Sequence, residues 1–342
     1  MLKIGIIGAG SIAERFHLPA WQKIDNAEVV AICDINEKAA RNLAQLYSIE
    51  EYTSFSKMLN RENLDILDIC TPNALHAEHI LQALDHNLHV VVEKPFVTRS
   101  KDAKIIIEKA ITKNKKVMCA QHQRFRPQTS VARKIIIEGE LGEIYYARAQ
   151  AIQCRNVPPQ NNSFTDKTLA GGGPLMDLGA HIIDVTWWLM GCPKPVSALG
   201  HVFTKLAHQP NITNALGKWE KYNVEDFVCG QIKFENGAVM SLEVSYLLNS
   251  VKRVFSTELM GTKGGLLWPD LVLTTDKDGV LKRNQLEIND DTLASVAELK
   301  HFVEYILDNK PPLIPLEESC MVVTMVEALY QSGRENRLVT LN

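Results

Sequence analysis

Lys94 stands in Glu93-Lys94-Pro95, directly after the apolar run Leu88 to Val92. A lysine at the carboxyl end of a buried strand, with proline fixing the backbone beside it, can favour an oxygen that gains charge as its carbon loses hydride. In the reverse direction it can donate a proton. The alternative is a lysine whose aliphatic stem carries its charge to solvent, and Glu93 could equally be the key group or only a charge partner. Asp177 and His181 are four apart after Gly171-Gly172-Gly173-Pro174, so a helix would place them on one face. A carboxylate there can orient an imidazole that accepts a proton near neutral pH. Asp184 is a second possible partner for that ring. The competing reading is a capping acid and a packed histidine, because Ile182, Ile183, Val185, Trp187, Trp188 and Leu189 are core-type residues.

These groups need a partner that accepts hydride, and the N-terminus supplies a place for one. An apolar run from Leu2 to Ile7 leads into Gly8-Ala9-Gly10-Ser11-Ile12-Ala13 and then into a segment that can be helical. Strand, glycine turn and helix is the order of a dinucleotide-binding βαβ unit. Gly8 would allow the tight turn, Gly10 a close backbone approach to pyrophosphate, and Ala13 close packing of helix on strand. Amides at the helix start, around Ser11 and Ile12, would face the anion. A second apolar run ends in Asp34, twenty-one positions after Ala13, the spacing at which a carboxylate can bind an adenosine ribose. A third run stops at Thr71-Pro72-Asn73. With helical crossovers between them, the ends at Gly8, Thr71 and Glu93 fall on one rim of a parallel sheet. His76, just beyond Asn73, is expected to line the cofactor cleft. His76 and His79 lack a third ligand at metal spacing, so no metal is expected. Arg124, beside His122, is a candidate for binding a polar substrate or phosphate, with a solvated basic cluster as the alternative.

The length of 342 residues suggests two domains. The boundary is placed where the polar, basic stretch Gln121 to Pro127 ends the last clear parallel strand. Residues 1–124 then form an α/β dinucleotide-binding domain. Residues 125–342 read as an α+β domain with a largely antiparallel open sheet, because runs of strand composition follow one another with few crossovers. Its C-terminal helix could pack back on the first domain. Glu235-Asn236-Gly237 signals a hairpin of type I′. The composition is 46% hydrophobic and 23% charged with net charge -3, which lends no support to a nucleic-acid partner. No stretch approaches a membrane span or a signal peptide, and a cytoplasmic protein is expected. Seven scattered cysteines without a Cys-x-x-Cys pair argue against disulfides and a thiolate metal site. Trp219 or Tyr222, in a long polar loop, could stack on a sugar or anchor that loop.

Taken together, the glycine loop, Asp34, Thr71-Pro72-Asn73 with His76, Glu93-Lys94-Pro95, Arg124-Phe125, and the block from Gly171 to His181 with Asp184 resemble the Gfo/Idh/MocA oxidoreductase family. The joint occurrence of Glu-Lys-Pro and the Gly-Gly-Gly to Asp-x-x-x-His block is more specific than the glycine loop, and the resemblance covers nearly the whole chain. It implies a Rossmann domain followed by an α/β domain whose open sheet commonly forms dimer interfaces, with homodimers or homotetramers. It also implies that Lys94, Asp177 and His181 form the reacting and substrate-binding set. The corresponding reaction is oxidation of a secondary hydroxyl of a sugar, sugar derivative or cyclitol. His181 would take the hydroxyl proton, Lys94 would hold the oxygen and Asp177 would orient the substrate. NAD is the expected cofactor, because Asp34 is followed by uncharged Ile35 and Asn36 and a 2′-phosphate would meet a carboxylate. Two other family behaviours stand beside this one: redox-neutral chemistry with transiently used NAD, and regulation by dinucleotide binding without turnover.

Overall fold

The computed structural model describes residues 1–157, 163–216, 222–288 and 290–341. Its residues divide into two compact units. The first contains Met1–Phe125 and Thr292–Cys320; the second contains Arg126–Asp291 and Met321–Asn342. The chain therefore crosses at Phe125, one residue past the expected boundary, and then returns. The return of 292–320 was not anticipated beyond the possibility that a C-terminal helix packs back.

In the first unit six strands make one parallel sheet: β1 (Leu2–Ile7), β2 (Ala27–Cys33), β3 (Glu50–Tyr52), β4 (Ile66–Ile69), β5 (His89–Glu93) and β6 (Val117–Ala120). The order is β3-β2-β1-β4-β5-β6, with every pair parallel. Reversal of strand order beside β1 creates the crevice in which open α/β sheets bind nucleotides. Strands covered on both faces read as continuous apolar runs, which is why β4 to β6 are buried along most of their length. The three-residue β3 escaped the sequence reading because Glu50-Glu51-Tyr52 has one apolar residue and lies at the sheet edge. The returning helix Ala294–Leu307 puts Leu299, Phe302 and Val303 into the same apolar cluster as Ile4, Ile32 and Met118.

The second unit is built on nine strands, β7 (Ile144–Ile152), β8 (Pro195–Phe203), β9 (Phe227–Phe234), β10 (Val239–Ser245), β11 (Val254–Gly261), β12 (Gly264–Trp268), β13 (Val272–Lys277), β14 (Val280–Gln285) and β15 (Val339–Thr340). Their order is β14-β13-β12-β11-β7-β10-β9-β8-β15, antiparallel except for β7 with β10. Alternate residues Ala147, Ala149 and Ala151 of β7 are buried in a cluster with Ile182 and Val185 of the helix Ala180–Leu189. Small side chains on the strand give the bulky helix residues room. The opposite face is polar: Arg148 donates to Glu258 at 2.9 Å across β7 and β11. In the β9–β10 hairpin Gly237 has a positive φ of 87°, whereas Asn236 does not, so the turn is not the type I′ expected. Strand β14 was missed because all six of its residues are exposed and carry no alternating apolar face. No helix among the described residues is long and apolar enough to cross a membrane.

Phe302 is fully buried in the core of the first unit. Phe302→Ala should destabilise that unit by roughly 3–5 kcal/mol. Hydrogen exchange followed by mass spectrometry should show faster exchange in β1 and β4 and unchanged protection in β9 and β10.

Candidate functional site

The glycine loop is shaped by its neighbours. Gly8 has φ +100°, and a Cβ there would lie 2.6 Å from the Cys70 carbonyl carbon and oxygen, so a side chain is excluded twice over. Beyond Gly10 a Cβ would meet nothing within 4 Å, the open approach a pyrophosphate requires. Ser11 and Ile12 begin the helical segment, and Ala13 is fully buried against the sheet. Asp34 holds the loop as well as facing the nucleotide edge. Its Oδ2 accepts the Ala9 N–H at 2.7 Å and its Oδ1 the Asn36 N–H at 2.8 Å. These features of Gly8, Gly10, Ser11, Ile12, Ala13 and Asp34 fit a dinucleotide.

Helical winding after the loop is not uniform: Ala13–His17 is a π-helical turn that passes into an α-helical Leu18–Trp21. Such widened turns are common at functional sites. His17 and Trp21 both reach the fully buried Asp68 of β4, with the His17 Nδ1 2.8 Å and the indole N–H 2.7 Å from Oδ2. The other ring nitrogen of His17 lies 3.1 Å from Glu93 Oε1. Glu93 Oε2 accepts the Lys94 N–H at 2.9 Å. Lys94 itself is only 8% exposed and its peptide bond to Pro95 is cis. Burial raises the pKa of Glu93, but the hydrogen bond and charge of His17 and the charge of Lys94 outweigh it and hold the carboxyl down at about 2. Sequence reading missed His17 and the role of Asp68. The available signal was an acid at the centre of the apolar run Leu64 to Cys70.

Thr71, Pro72 and Asn73 lie on the same rim as Gly8, Asn73 starting a short 3-10 turn and buried. His76 is corrected. It is completely buried, with its ring nitrogens 2.9 Å from the Thr71 and Pro95 carbonyl oxygens. It clamps the Thr71 loop to the Glu93-Lys94-Pro95 loop and does not line the cleft. Burial lowers its pKa despite those carbonyls, which favours a neutral ring donating to one of them. The substrate contact expected of Arg124 likewise gives way to a structural one. Its guanidinium is buried, paired with Glu318 and donating to the Leu313 carbonyl at 3.2 Å, so it ties the returning segment to the end of β6.

In the second unit the helix carrying Asp177 and His181 starts as a π-helical turn, Leu175–Gly179, and continues as Ala180–Leu189. Asp177 is half-buried and its Oδ2 accepts the Tyr246 hydroxyl at 2.8 Å. Burial and then the Asp177 charge keep that phenol protonated far above its usual range. His181 is 8% exposed. Glu225 organises the start of the helix: Oε2 accepts Gly173 N–H at 3.0 Å, and Oε1 accepts Leu175 N–H at 3.2 Å and the Tyr330 hydroxyl at 2.6 Å. A Cβ on Gly172 would stand 2.1 Å from that hydroxyl, which accounts for glycine there. Glu225 and Asp226, just before β9, both tie backbone amides. Asp226 accepts Lys205 and Leu206 N–H groups. Tyr222 is a buried anchor donating to the Glu225 carbonyl at 3.2 Å; Trp219 lies outside the described residues. Tyr246 and Tyr330 escaped notice because nothing in local spacing links them to Asp177 or Glu225.

Comparison with known proteins gives a consistent result. The family model described as "Oxidoreductase family, NAD-binding Rossmann fold" (GFO_IDH_MocA) matches residues 2–121, and the GFO/IDH/MocA C-terminal domain model matches residues 129–267. D-glucoside 3-dehydrogenase of Escherichia coli is 32% identical over 345 residues, 99% of this chain and 97% of that protein. Levoglucosan dehydrogenase of Pseudarthrobacter phenanthrenivorans is 27% identical over 288 residues, 78% of this chain and 73% of that one. The solved structure of levoglucosan dehydrogenase in complex with NADH and levoglucosan shares the fold, with a TM-score of 0.87 at 22% identity over 99% of both chains.

Glu93 makes acid stability testable. Its folded pKa lies below the ordinary value of 4.5, so its contribution is complete above that value and is lost as pH falls from 4.5 to about 2. Urea denaturation across this range should show Glu93→Gln lacking a component of up to about 3 kcal/mol present in the wild type.

Proposed function

This chain belongs to the Gfo/Idh/MocA oxidoreductase family, and from that premise we propose that it oxidises a secondary ring hydroxyl of a sugar, with a glucoside oxidised at C3 as the leading case. It is an NAD-dependent oxidoreductase acting on sugar CH–OH groups. The observation that carries the reading is the placement of the buried Lys94 on the carboxyl rim shared by the glycine loop, with its backbone fixed by Glu93. The preference for C3 is supported by a relative that covers nearly the whole chain at 32% identity, a D-glucoside 3-dehydrogenase. Cyclitols remain within the proposed substrate class.

NAD, when bound, supplies acceptance of a hydride. Gly8, Gly10, Ser11, Ile12, Ala13, Asp34, Thr71, Pro72, Asn73, Glu93 and Lys94 form its proposed holding surface in the first unit. The ammonium of Lys94 binds the substrate oxygen and favours its developing negative charge. An imidazole nitrogen of His181 takes the hydroxyl proton. Asp177, held by the Tyr246 hydroxyl, accepts a neighbouring substrate hydroxyl and sets the ring orientation. Assembly as a homodimer or homotetramer in the cytoplasm belongs to the same proposal and is checked by light scattering and cell fractionation.

NADH formation with methyl glucosides, free glucose, glucose 6-phosphate, levoglucosan and inositol should reveal a preferred glucoside, and carbon NMR of the product should show a ketone at C3. A ketone elsewhere overturns the positional assignment. Lys94→Ala should lower kcat/KM by about three orders of magnitude while retaining NADH binding measured by fluorescence. Unchanged turnover would remove Lys94 from the mechanism. Tyr246→Phe should cost roughly tenfold to a hundredfold in kcat, the equivalent of about 1.5–3 kcal/mol for a hydrogen bond to a charged group.

A further inference from the structure

We propose that His17 is a positioning residue for this reaction: by bridging Asp68 and Glu93 it fixes the carboxylate that holds the Lys94 backbone, and so sets where Lys94 stands. The inference rests on the reading of Lys94 as the reacting lysine. Its geometry is continuous from the glycine-loop helix to the end of β5. Asp68 Oδ1 and Oδ2 lie 3.0 and 2.8 Å from His17 Nδ1, Glu93 Oε1 lies 3.1 Å from Nε2, and Glu93 Oε2 takes the Lys94 N–H at 2.9 Å. An imidazole faced by a carboxylate at each nitrogen satisfies both only when both nitrogens carry protons. Burial opposes that charge, but Asp68 raises the pKa of the ring well above its ordinary value. The groups facing His17 are Asp68 and Cys70 from β4 and its end, and Glu93 from β5; Glu93 in turn feels Lys94 and His122. Burial first, then Asp68, pushes the Cys70 thiol up to about 12, so it adds no negative charge at working pH.

The charges thus alternate along the chain Asp68, His17, Glu93, Lys94. Removing the middle cation leaves two buried carboxylates facing one another, and one of them must take a proton or move. Asp68 is also held by Trp21, whereas Glu93 has its Oε1 toward His17 alone among the hydrogen bonds described. Glu93 is therefore the group that yields, and the Lys94 loop yields with it. His17, Asp68 and Cys70 also bring ligand-type atoms within 4.8 Å of one another. With His17 and Trp21 hydrogen-bonded to the Asp68 carboxylate, that cluster is a complete hydrogen-bond network without an ion.

Two substitutions separate positioning from mere packing. His17→Gln keeps a neutral N–H near the place of Nε2, facing Glu93; His17→Asn keeps one near Nδ1, facing Asp68. Positioning predicts kcat about tenfold lower in His17→Asn than in His17→Gln, with KM for the sugar changed less than about threefold in both. A structural role alone predicts the reverse order, because Asp68 is the more deeply buried acid and loses its partner in His17→Gln. Kcat values that follow the order of thermal stability, or that stay at the wild-type level in both variants, overturn the proposal. A second readout needs no turnover: carbon NMR of the Glu93 carboxyl should titrate near 2 in the wild type and at least about two units higher in His17→Asn. An unmoved Glu93 titration also overturns the bridge. If the wild-type enzyme forms no NADH with any sugar, the assigned reaction fails, and the Glu93 titration still decides the role of His17.

Discussion

Asp68 is an ionisable side chain with no exposed surface in the middle of a parallel sheet, and much of the first unit follows from satisfying it. A buried carboxylate is costly unless charge and hydrogen bonds surround it. His17 and Trp21 provide both, and they do so from the helix that follows the glycine loop. The segment that presents amides to a nucleotide is thereby pinned to β4 at its far end. Through the second nitrogen of His17 the same acid reaches the end of β5, where Glu93 holds the Lys94 N–H. One buried charge couples the helix after the glycine loop to the strand end that carries Lys94, the lysine proposed to react.

The second unit solves an analogous problem with a different acid. Glu225 gathers two backbone N–H groups and a tyrosine hydroxyl at the start of the helix bearing Asp177 and His181. Negative charge at a helix N-terminus complements its dipole, and the glycines before Pro174 allow the carboxylate and Tyr330 to approach the backbone. Asp177 then receives its orientation from Tyr246, the residue that follows β10. In both units the groups assigned to catalysis are held by acids and aromatic donors of the protein itself. Positional precision of this kind is what rigid elements and supporting hydrogen bonds provide.

The parallel sheet, its rim and the Glu93-Lys94 turn were legible because strands covered on both faces leave long apolar runs, and their ends are marked by glycine and proline. The family relation was legible for the same reason: the motifs sit at turns where geometry restricts residue choice. What escaped was long-range or edge-like. Strands β3 and β14 carry too little apolar pattern to register, and the return of 292–320 to the first unit depends on Phe302 and Arg124 finding partners far away in sequence. His76 and Arg124 were assigned to ligands because polar residues near a rim invite that reading, yet both are buried and satisfied by protein groups.

His76 and Lys94 are both buried near one rim but differ in what surrounds them, and that difference suits Lys94 to the reacting role proposed for it. Carbonyl oxygens face both nitrogens of His76, and burial favours its neutral form, which donates to one of them, so the ring is engaged by the protein's own backbone. Lys94 has a carboxylate neighbour whose ionisation is enforced from beneath by His17, which retains negative charge beside the lysine across the working range of pH. A catalytic cation in a nearly dry site needs such a counter-charge, because desolvation otherwise favours loss of its proton. The apolar run Leu64 to Cys70 conceals this arrangement in sequence, and Asp68, the buried one of its two acids, is the mark of the requirement.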